Sequence, residues 1–283
     1  MSFIRNIFCE CLALGILASG KVRRAKAIAL RPGVVTPIYF HNPNRRLFAR
    51  CIQWLLDHGY TFISTADLVG FLHHGKPLPV GAVWISFDDG YREWLDTVVP
   101  LVRQRRVPVT MFIPSGIVEN NGLLPWVRNE NSGTHNGRDT VTVSELKTIA
   151  TYPEVTIGGH GVNHTVTENL PEPQKRFELG DSKRALETWT GSTVSSFAYP
   201  VGLYDGDEKP LLKELGYQLA ATTDHAFITS QTDPYFVPRF CVSDNISFPE
   251  AICNMVGAWR PALDPLKKRF QAKHRARHSP SYL

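Results

Sequence analysis

Short runs of branched and aromatic residues alternate with longer amphipathic segments along the chain. Such runs are typical of buried strands, and they occupy residues 34–40, 61–63, 83–87, 108–113, 155–159, 196–199, 219–223 and 237–242. Apolar residues at helical spacing occupy the segments between them, at 47–58, 65–72, 91–105, 144–150, 172–189 and 208–215. Strands that alternate with helices at this rhythm predict an α/β fold built on a parallel sheet.

Polar side chains follow several of these strands at the point where each strand ends. Asp88 and Asp89 come directly after the strand at 83–87, and His160 and His164 come after the strand at 155–159. His41 follows the first strand. Because a closed barrel places the C-terminal ends of its strands on one face, we expect these side chains to lie close together.

The acidic pair and the histidine pair together favour a metal site. Two adjacent carboxylates repel each other, and a bound cation removes that cost. Two histidines four positions apart on a helical turn project to one side, which suits a single metal ion. Gly161 stands where the zinc-protease motif requires Glu, so that motif is excluded. Two alternatives stay open: Asp88 only caps a helix within an ordinary Asp-Asp-Gly turn, or the histidines are structural.

Three motifs in order carry a resemblance to a known family. They are Phe87-Asp88-Asp89-Gly90, His160-x-x-x-His164 and Phe197-Ala198-Tyr199-Pro200-Val201-Gly202. In these motifs the chain resembles the polysaccharide deacetylases of carbohydrate esterase family 4, which share the NodB-homology domain, and it is most similar to their exopolysaccharide or biofilm type. The similarity spans roughly residues 34–242. It implies an irregular (β/α) barrel with fewer than eight parallel strands, NodB-like and seven-stranded.

The resemblance also implies an activity. Members hydrolyse N-acetyl groups on hexosamine residues of a polysaccharide, an oligosaccharide or a lipid-linked glycan, and they release acetate. By resemblance, Asp89, His160 and His164 hold a divalent metal and Asp88 is the general base. Zinc is the first expectation, although cobalt, nickel or iron also suit His and Asp ligands. The backbone near Val201 is expected to stabilise the oxyanion, with Tyr199 and Pro200 beside the substrate.

The chain departs from the family pattern at three places. Gly161 replaces the Ser or Thr that usually follows the first histidine, so one supporting hydrogen bond is missing. Ala198 stands where many members carry an Arg that orients the base, and Arg239 is the candidate for that cation. The late Leu-x-His that usually carries the general acid is not visible, which leaves His41 and His225 as candidates. For each of them, an ordinary loop histidine is the alternative.

Two tryptophans are candidates for stacking on a sugar ring, Trp126 in the long loop at 120–138 and Trp94. Other functions stay open beside N-deacetylation. The missing acid motif and Ala198 also suit a non-catalytic relative that binds glycan, and the same chemistry suits an O-acetyl esterase. A metal-free glycosidase that uses Asp88 and Asp89 is disfavoured, because its carboxylates must lie on opposite sides of the scissile bond, about 5 Å or more apart.

Charge is concentrated at the two ends of the chain. Residues 1–31 carry a net charge of +5 and residues 267–283 carry +6, so the body between them is acidic at −6. Nucleic-acid binding requires a basic folded face, and this distribution argues against it. We therefore predict a basic N-terminal helix or targeting segment at 1–31, the deacetylase domain at 32–260 and a basic tail at 261–283.

The first segment has two interpretations. Residues 7–20 resemble a secretory signal, but Glu10 interrupts the apolar run and about 14 residues are too few to span a bilayer. The preferred interpretation is an amphipathic helix on a membrane surface or on the barrel, with peripheral membrane contact through the basic termini. The five cysteines have no metal or redox spacing, which suits a reducing compartment. We therefore expect a cytoplasmic protein or one at the inner membrane face, with export as the alternative.

Overall fold

The computed structural model describes residues 2–127 and 137–261, and for residues 2–6 the backbone alone. Each predicted strand is found, in several cases shorter than predicted. The strands are Val35–Phe40 (β1), Thr61–Phe62 (β2), Ala82–Phe87 (β3), Val109–Ile113 (β4), Val155–Gly159 (β5), Ser196–Ala198 (β6), Leu219–Ala221 (β7) and Phe240–Cys241 (β8).

Helices cover the outside of the sheet and connect its strands. They are Ser2–Ala18 (α1), Lys21–Ala29 (α2), Arg45–Asp57 (α3), Thr65–His74 (α4), Trp94–Thr97 (α5), Val99–Arg105 (α6), Ser115–Glu119 (α7), Val143–Ala150 (α8), Glu172–Arg176 (α9), Ser182–Thr190 (α10), Glu208–Glu214 (α11) and Phe248–Met255 (α12). A π-helical turn at Phe177–Asp181 joins α9 to α10, and a 3₁₀ turn at Pro200–Gly202 follows β6.

The strands form one parallel sheet in the order β7-β6-β5-β4-β3-β1-β8. The two-residue β2 lies off this path and pairs with the start of β3. Seven strands therefore follow one another around the sheet, which confirms the predicted irregular (β/α) barrel. All C-terminal strand ends point the same way, so the residues after them share one face.

A short segment before β8 closes the barrel. The amide of Val237 donates to the carbonyl of Ala220 in β7 at 2.9 Å, and the amide of Thr222 donates back to Val237 at 2.8 Å. Three residues later, Phe240 pairs with Ile38 of β1. The segment 237–241 thus bridges β7, at one end of the path, and β1, and it carries Arg239 into the barrel.

Strand residues supply the core on both faces of the sheet. Every residue of β1 and β3 is buried, as expected for a parallel sheet covered on both sides. Trp84 and Phe112 face the barrel interior, and Phe87 and Phe197 pack against the helices. All four aromatic residues are fully buried.

The N-terminal helices pack on the barrel rather than extending from it. Ala13 and Ile16 of α1 are buried, and the thiol of Cys253 in α12 lies 3.7 Å from the carbonyl of Ala13. The opposite face of α1 leaves Ile7, Phe8 and Leu14 exposed. Within residues 2–127 and 137–261, no helix combines the length and the hydropathy that a membrane crossing requires. The predicted boundaries at 31 and 260 stay predictions, and residues 262–283 of the predicted tail lie outside the described part.

Two predicted helices depart from a regular α-helix. The segment 91–105 divides into α5 and α6 at Val98, because Pro100 near the start of α6 cannot donate its backbone nitrogen to the preceding turn. The segment 172–189 is continuous but contains the π-helical turn, which no periodicity in the sequence indicates.

Candidate metal centre and active site

Asp88 and Asp89 lie in the turn that ends β3. The amide of Asp88 donates to Phe40 at the end of β1 at 3.1 Å, which continues the sheet by one residue. Asp89 then takes a left-handed conformation at φ 83°, and Gly90 follows at φ 73°. Aspartate tolerates this region better than most residues, and glycine occupies it at no steric cost. The turn therefore presents two buried carboxylates at the strand end.

His160 and His164 lie in an irregular loop and not on a helical turn. The expectation of a helical turn is therefore wrong, because Gly161 at φ 79° and His164 at φ 58° both leave the right-handed region. Backbone bonds from α7 fix the loop instead: Ser115 N–H donates to Gly161 at 3.0 Å and Gly116 N–H donates to Val162 at 2.8 Å. Both imidazoles nevertheless reach the same point.

Asp89, His160 and His164 form a group that fits a divalent metal. Their candidate ligand atoms all lie within 4.8 Å of one another. Asp89 Oδ1 is 3.4 Å from His160 Nε2 and 3.4 Å from His164 Nε2. Zinc bonds to nitrogen and oxygen of about 2.0–2.2 Å in a tetrahedron require ligand separations of about 3.3–3.6 Å. The two 3.4 Å separations are therefore those expected around one zinc-sized ion.

Hydrogen bonding and charge set the state of the two imidazoles. His160 Nδ1 lies 2.8 Å from the carbonyl of Ala198, which assigns the proton to Nδ1 and leaves Nε2 facing Asp89. Burial alone lowers the pKa of His160, but the neighbouring carboxylates of Asp89 and Asp88 outweigh it and raise that pKa. Burial and the charge of His160 lower the pKa of His164 to about 4. Without a metal, the two carboxylates therefore favour the charged form of His160, and burial favours the neutral form of His164.

Arg239 holds Asp88 from across the barrel. Its Nη1 and Nη2 each donate to one Asp88 oxygen at 2.8 Å, and both side chains are buried. Burial raises the pKa of Asp88, but the Arg239 and His160 charges outweigh it and leave that pKa below its usual range. The structure thus places Arg239 where the predicted orienting cation is needed, although Ala198 occupies the usual position of that cation.

These groups share one open cavity of about 530 Å³ at the C-terminal face of the barrel. Most of the predicted site residues line it, namely His41, Asp88, Asp89, Trp126, His160, His164, Tyr199 and Val201. Trp126 is 42% exposed, its ring lies 4.4 Å from that of His164, and its indole N–H donates to the Tyr91 hydroxyl at 3.1 Å. An exposed aromatic ring thus borders the metal group.

The structure separates the two candidates for the general acid. His41 lines the cavity, and its carbonyl accepts a 2.6 Å hydrogen bond from the indole of Trp94. His225 instead lines a different cavity, beside α2, where its ring lies 4.5 Å from that of Phe240. Trp94 is fully buried, so the expectation that it stacks on a sugar is wrong: its ring packs against Phe87 at 5.7 Å.

The third motif forms one wall of the cavity. Tyr199 lines the cavity but is fully buried, and its hydroxyl donates to the carbonyl of Tyr235 at 3.0 Å. Pro200 is buried and opens the 3₁₀ turn. Val201 has φ 60° and a side chain that is 61% exposed. A left-handed conformation costs a β-branched residue about 1–2 kcal/mol, so the surrounding turn holds Val201 in place.

Two carboxylates near the site were not predicted. Asp244 lines the cavity, and its Oδ1 accepts from the amide of Asn42 at 2.8 Å. Burial raises the pKa of Asp244, although the nearby charge of His41 acts to lower it. Glu178 is buried behind the histidine loop. Asp244 follows the end of β8, so the rule that identified the other strand-end residues also applies to it, whereas Glu178 lies within a helical segment and has no such signal.

Comparisons with known proteins agree with this geometry. The sequence model of the polysaccharide deacetylase family matches residues 75–220, just over half of the chain. A poly-beta-1,6-N-acetyl-D-glucosamine N-deacetylase of Staphylococcus aureus is 24% identical over 225 residues, which cover 74% of this chain and 73% of the relative.

Two solved structures share the fold. The Streptococcus pyogenes deacetylase PplD in complex with acetate superposes with a TM-score of 0.66 at 20% identity, over 80% of this chain and 99% of PplD. IcaB from Ammonifex degensii superposes with a TM-score of 0.64 at 20% identity, over 79% of this chain and 97% of IcaB. With the family match, these similarities confirm the resemblance found in the three motifs. This chain therefore belongs to the polysaccharide deacetylases, which are hydrolases of carbon–nitrogen bonds outside peptides.

Proposed function

We propose that this protein is a metal-dependent N-deacetylase that removes acetyl groups from N-acetylhexosamine residues of an exopolysaccharide. The observation that carries the proposal is the shared cavity, in which Asp89, His160 and His164 lie beside the Asp88–Arg239 pair. The similarity to the Staphylococcus aureus enzyme makes β-1,6-linked N-acetylglucosamine polymers the first substrate to test. Oligosaccharides and lipid-linked glycans with the same acetylated amino sugar are the alternatives.

Asp89, His160 and His164 would hold a divalent metal, and that ion would supply Lewis acidity toward the acetyl carbonyl and the attacking water. Asp88 accepts a proton from that water, and Arg239 keeps its carboxylate ionised and fixed in orientation. The water oxygen forms a bond to the carbonyl carbon, and the backbone at Val201 lies on the cavity wall where a developing oxyanion needs a donor. The carbon–nitrogen bond then breaks, the sugar nitrogen takes up a proton and acetate leaves.

His41 is the proposed donor of that last proton. It lines the same cavity as Asp88, and Asp244 lies close enough for its charge to act on the imidazole. A general acid must come within hydrogen-bond reach of the leaving group, directly or through one water. His225 lines a separate cavity, so it does not meet that requirement in this conformation.

Zinc is the proposed metal because two imidazoles and one carboxylate are the donor set of catalytic zinc sites and leave a position for water. Cobalt, nickel and iron accept the same ligands, so the chain's donors do not separate them. The relevant test is the stoichiometry and affinity of each metal with protein stripped by a chelator, followed by activity with each metal restored.

The experiment that tests the function measures acetate release by metal-free and zinc-loaded protein on β-1,6-linked and β-1,4-linked N-acetylglucosamine oligomers. We expect one zinc per chain and zinc-dependent acetate release from the β-1,6 series. Zinc binding with no release from any acetylated sugar supports a glycan-binding role instead. Release from O-acetylated sugars alone supports an esterase. Failure to bind any divalent metal contradicts the proposed centre.

We also propose that the N-terminal helices contact an anionic membrane surface. The exposed apolar residues of α1 are followed at once by the basic α2, in which Lys21, Arg23 and Arg24 are exposed. Apolar insertion combined with basic charge is how interfacial helices bind anionic lipid. Sedimentation with vesicles of phosphatidylglycerol and phosphatidylcholine tests this: Phe8→Ser with Leu14→Ser is expected to abolish co-sedimentation, and binding that is unchanged contradicts the proposal.

A further inference from the structure

The loop between the two histidine ligands has no regular secondary structure of its own. Its backbone is left-handed at Gly161 and at His164, so neither helical nor sheet hydrogen bonds hold residues 161–165. On one side, amides at the start of α7 satisfy the carbonyls of Gly161 and Val162. The amide and hydroxyl donors on the other side of the loop require a different partner.

Glu178 is that partner. Its Oε2 accepts from the amide of Val162 at 2.7 Å and from the amide of Asn163 at 3.0 Å. Its Oε1 accepts from the hydroxyl of Thr165 at 2.9 Å and, more weakly, from the Asn163 side chain at 3.4 Å. The carboxylate is 3% exposed. One buried side chain therefore fixes residues on both sides of the ligand His164.

The π-helical turn brings Glu178 into this position. The turn lies between α9 and α10, and Glu178 is its second residue. A π turn inserts one extra residue into a helix and thereby changes which side chains face inward, and such turns are frequent at functional sites. This explains why helical periodicity in the sequence did not mark Glu178 as a site residue.

The Glu178 carboxylate occupies the space beside position 161, where the backbone conformation also favours glycine. A Cβ atom at Gly161 would lie 2.7 Å from Glu178 Oε2, and the glycine has φ 79°. A Ser or Thr there would have to displace the carboxylate. A Ser or Thr at position 161 is expected in the family to support this loop by one hydrogen bond. In this chain, four hydrogen bonds from the loop to Glu178 support it instead.

We propose that Glu178 is a positioning residue for His164 and that it sets the metal affinity of the site by holding the loop in its ligand-bearing shape. The inference rests on the metal centre proposed above. Outer partners that orient metal ligands commonly change the affinity by about 10–100-fold when they are removed. Glu178→Gln removes the carboxylate charge, so the bonds from the Val162 and Asn163 amides are no longer charge-assisted. Its NH₂ group also cannot accept, so the Thr165 hydroxyl loses its acceptor and must turn round to accept instead.

The test compares Glu178→Gln with Glu208→Gln. Glu208 is also a buried carboxylate, and it accepts from the Thr167 hydroxyl at 2.8 Å and from the Gly206 amide at 3.0 Å. Neither of these bonds involves residues 161–165. Both substitutions remove a buried acceptor. Only the first removes one from the ligand loop, so the pair separates positioning from general stability.

Three readouts are measured on each variant and on the wild type. They are the zinc dissociation constant, the visible absorption spectrum of the cobalt-loaded protein, and amide hydrogen exchange of residues 161–165 in the metal-free protein. For Glu178→Gln we expect zinc affinity to fall about 10–100-fold, the cobalt bands to shift, and exchange in the loop to accelerate. For Glu208→Gln we expect all three to stay within about threefold of the wild type.

The outcomes are distinct. If the wild type binds no zinc, the metal centre itself fails. If the wild type binds zinc and Glu178→Gln matches Glu208→Gln in all three readouts, Glu178 is structural and the inference is overturned. If Glu178→Gln does not fold, Thr165→Val replaces it, because this change deletes a single donor to Glu178 Oε1 and keeps the side-chain volume. A zinc affinity for Thr165→Val equal to that of the wild type then overturns the inference.

Discussion

Arg239 and Asp88, separated by 151 positions in the sequence, are joined by two parallel hydrogen bonds of 2.8 Å. The guanidinium matches the geometry of the carboxylate, and it is itself fixed by the hydroxyl of Ser86 and the carbonyl of Thr222. Its charged plane also lies 4.3 Å above the ring of Tyr39. The orientation of the proposed base is therefore set by an arginine that directly precedes β8, two strands along the sheet from β3.

Replacing this arginine by lysine keeps the charge but removes the paired geometry. In Arg239→Lys, we expect kcat to fall about 10²-fold, because Asp88 loses its fixed orientation toward water. The zinc dissociation constant is expected to change less than threefold, since no metal ligand is altered. Steady-state acetate release and calorimetric zinc titration measure the two quantities. An unchanged kcat means that Arg239 does not orient the base.

The proposed base is tested directly by Asp88→Asn. We expect kcat/KM to fall about 10²–10⁴-fold, because an amide cannot accept the proton from water, while zinc binding persists. Asp89→Asn is the matched substitution at the adjacent carboxylate, and it is expected to weaken zinc binding instead. Metal content and activity of both variants are compared. Loss of zinc in Asp88→Asn, or full activity in that variant, contradicts the assignment of roles.

The two histidines proposed as general acid are separated by His41→Gln and His225→Gln. We expect the first to lower kcat about 10²–10⁴-fold, since His41 lines the cavity. The second is expected to leave kcat unchanged, because His225 lines another cavity. The opposite pattern assigns the acid to His225 and shows that the chain rearranges when substrate binds.

Zinc affinity is expected to rise with pH. The metal-free protein holds a proton on His160, whose pKa is raised, and zinc must displace it; His164, with a pKa of about 4, is already neutral. Near pH 6 we therefore expect release of about one proton per zinc and a tenfold gain in affinity per pH unit.

In metal-free protein, the raised pKa of His160 stabilises the fold below about pH 6.5, and this stabilisation disappears as the pH rises through the folded pKa.

Calorimetric titration in buffers of different ionisation enthalpy counts these protons. Urea unfolding of the metal-free and zinc-loaded forms at several pH values provides the companion measurement. Release of two protons near pH 6 contradicts the assignment of a neutral His164.

Trp126 is expected to contribute to binding of the glycan. Its exposed ring borders the cavity beside His164, and aromatic faces add about 0.5–1.5 kcal/mol to a contact beyond the buried area. In Trp126→Ala, we expect KM for oligomers to rise about 3–10-fold with a smaller change in kcat. Leu123→Ala, at another exposed apolar position of the same loop, is the control. Equal KM values for the wild type and Trp126→Ala exclude a role in binding.

The strand ends explain how much of the site the sequence could predict. Asp88, Asp89, His160 and His41 each follow a strand, and parallel strands bring such positions together whatever the loops do. The metal group could therefore be predicted from the sequence pattern alone. The local shape was not: the histidine spacing suggested a helical turn, but left-handed residues at 161 and 164 produce the same convergence by another path.

Contacts between segments that are distant in the sequence were the hardest feature of the site to predict. Glu178 reaches the site through a π-helical turn, and Asp244 lies three residues beyond a strand of only two residues. The partial burial of His41 and the full burial of Trp94 also follow from packing that no local pattern specifies. In each case, the sequence supplied the residue type, and tertiary packing decided what that residue touches.

The segment that closes the barrel has a consequence for when activity arises. The metal ligands have all been synthesised by residue 164, but Arg239 belongs to the stretch that bridges β7 and β1. During synthesis, the base therefore stays without its cation until residues 237–241 have left the ribosome and the last strand of the sheet has docked. A product that is truncated before residue 237 and retains the metal ligands is expected to bind the metal ion without catalysing hydrolysis. Catalytic activity is therefore expected only once the segment 237–241 has docked.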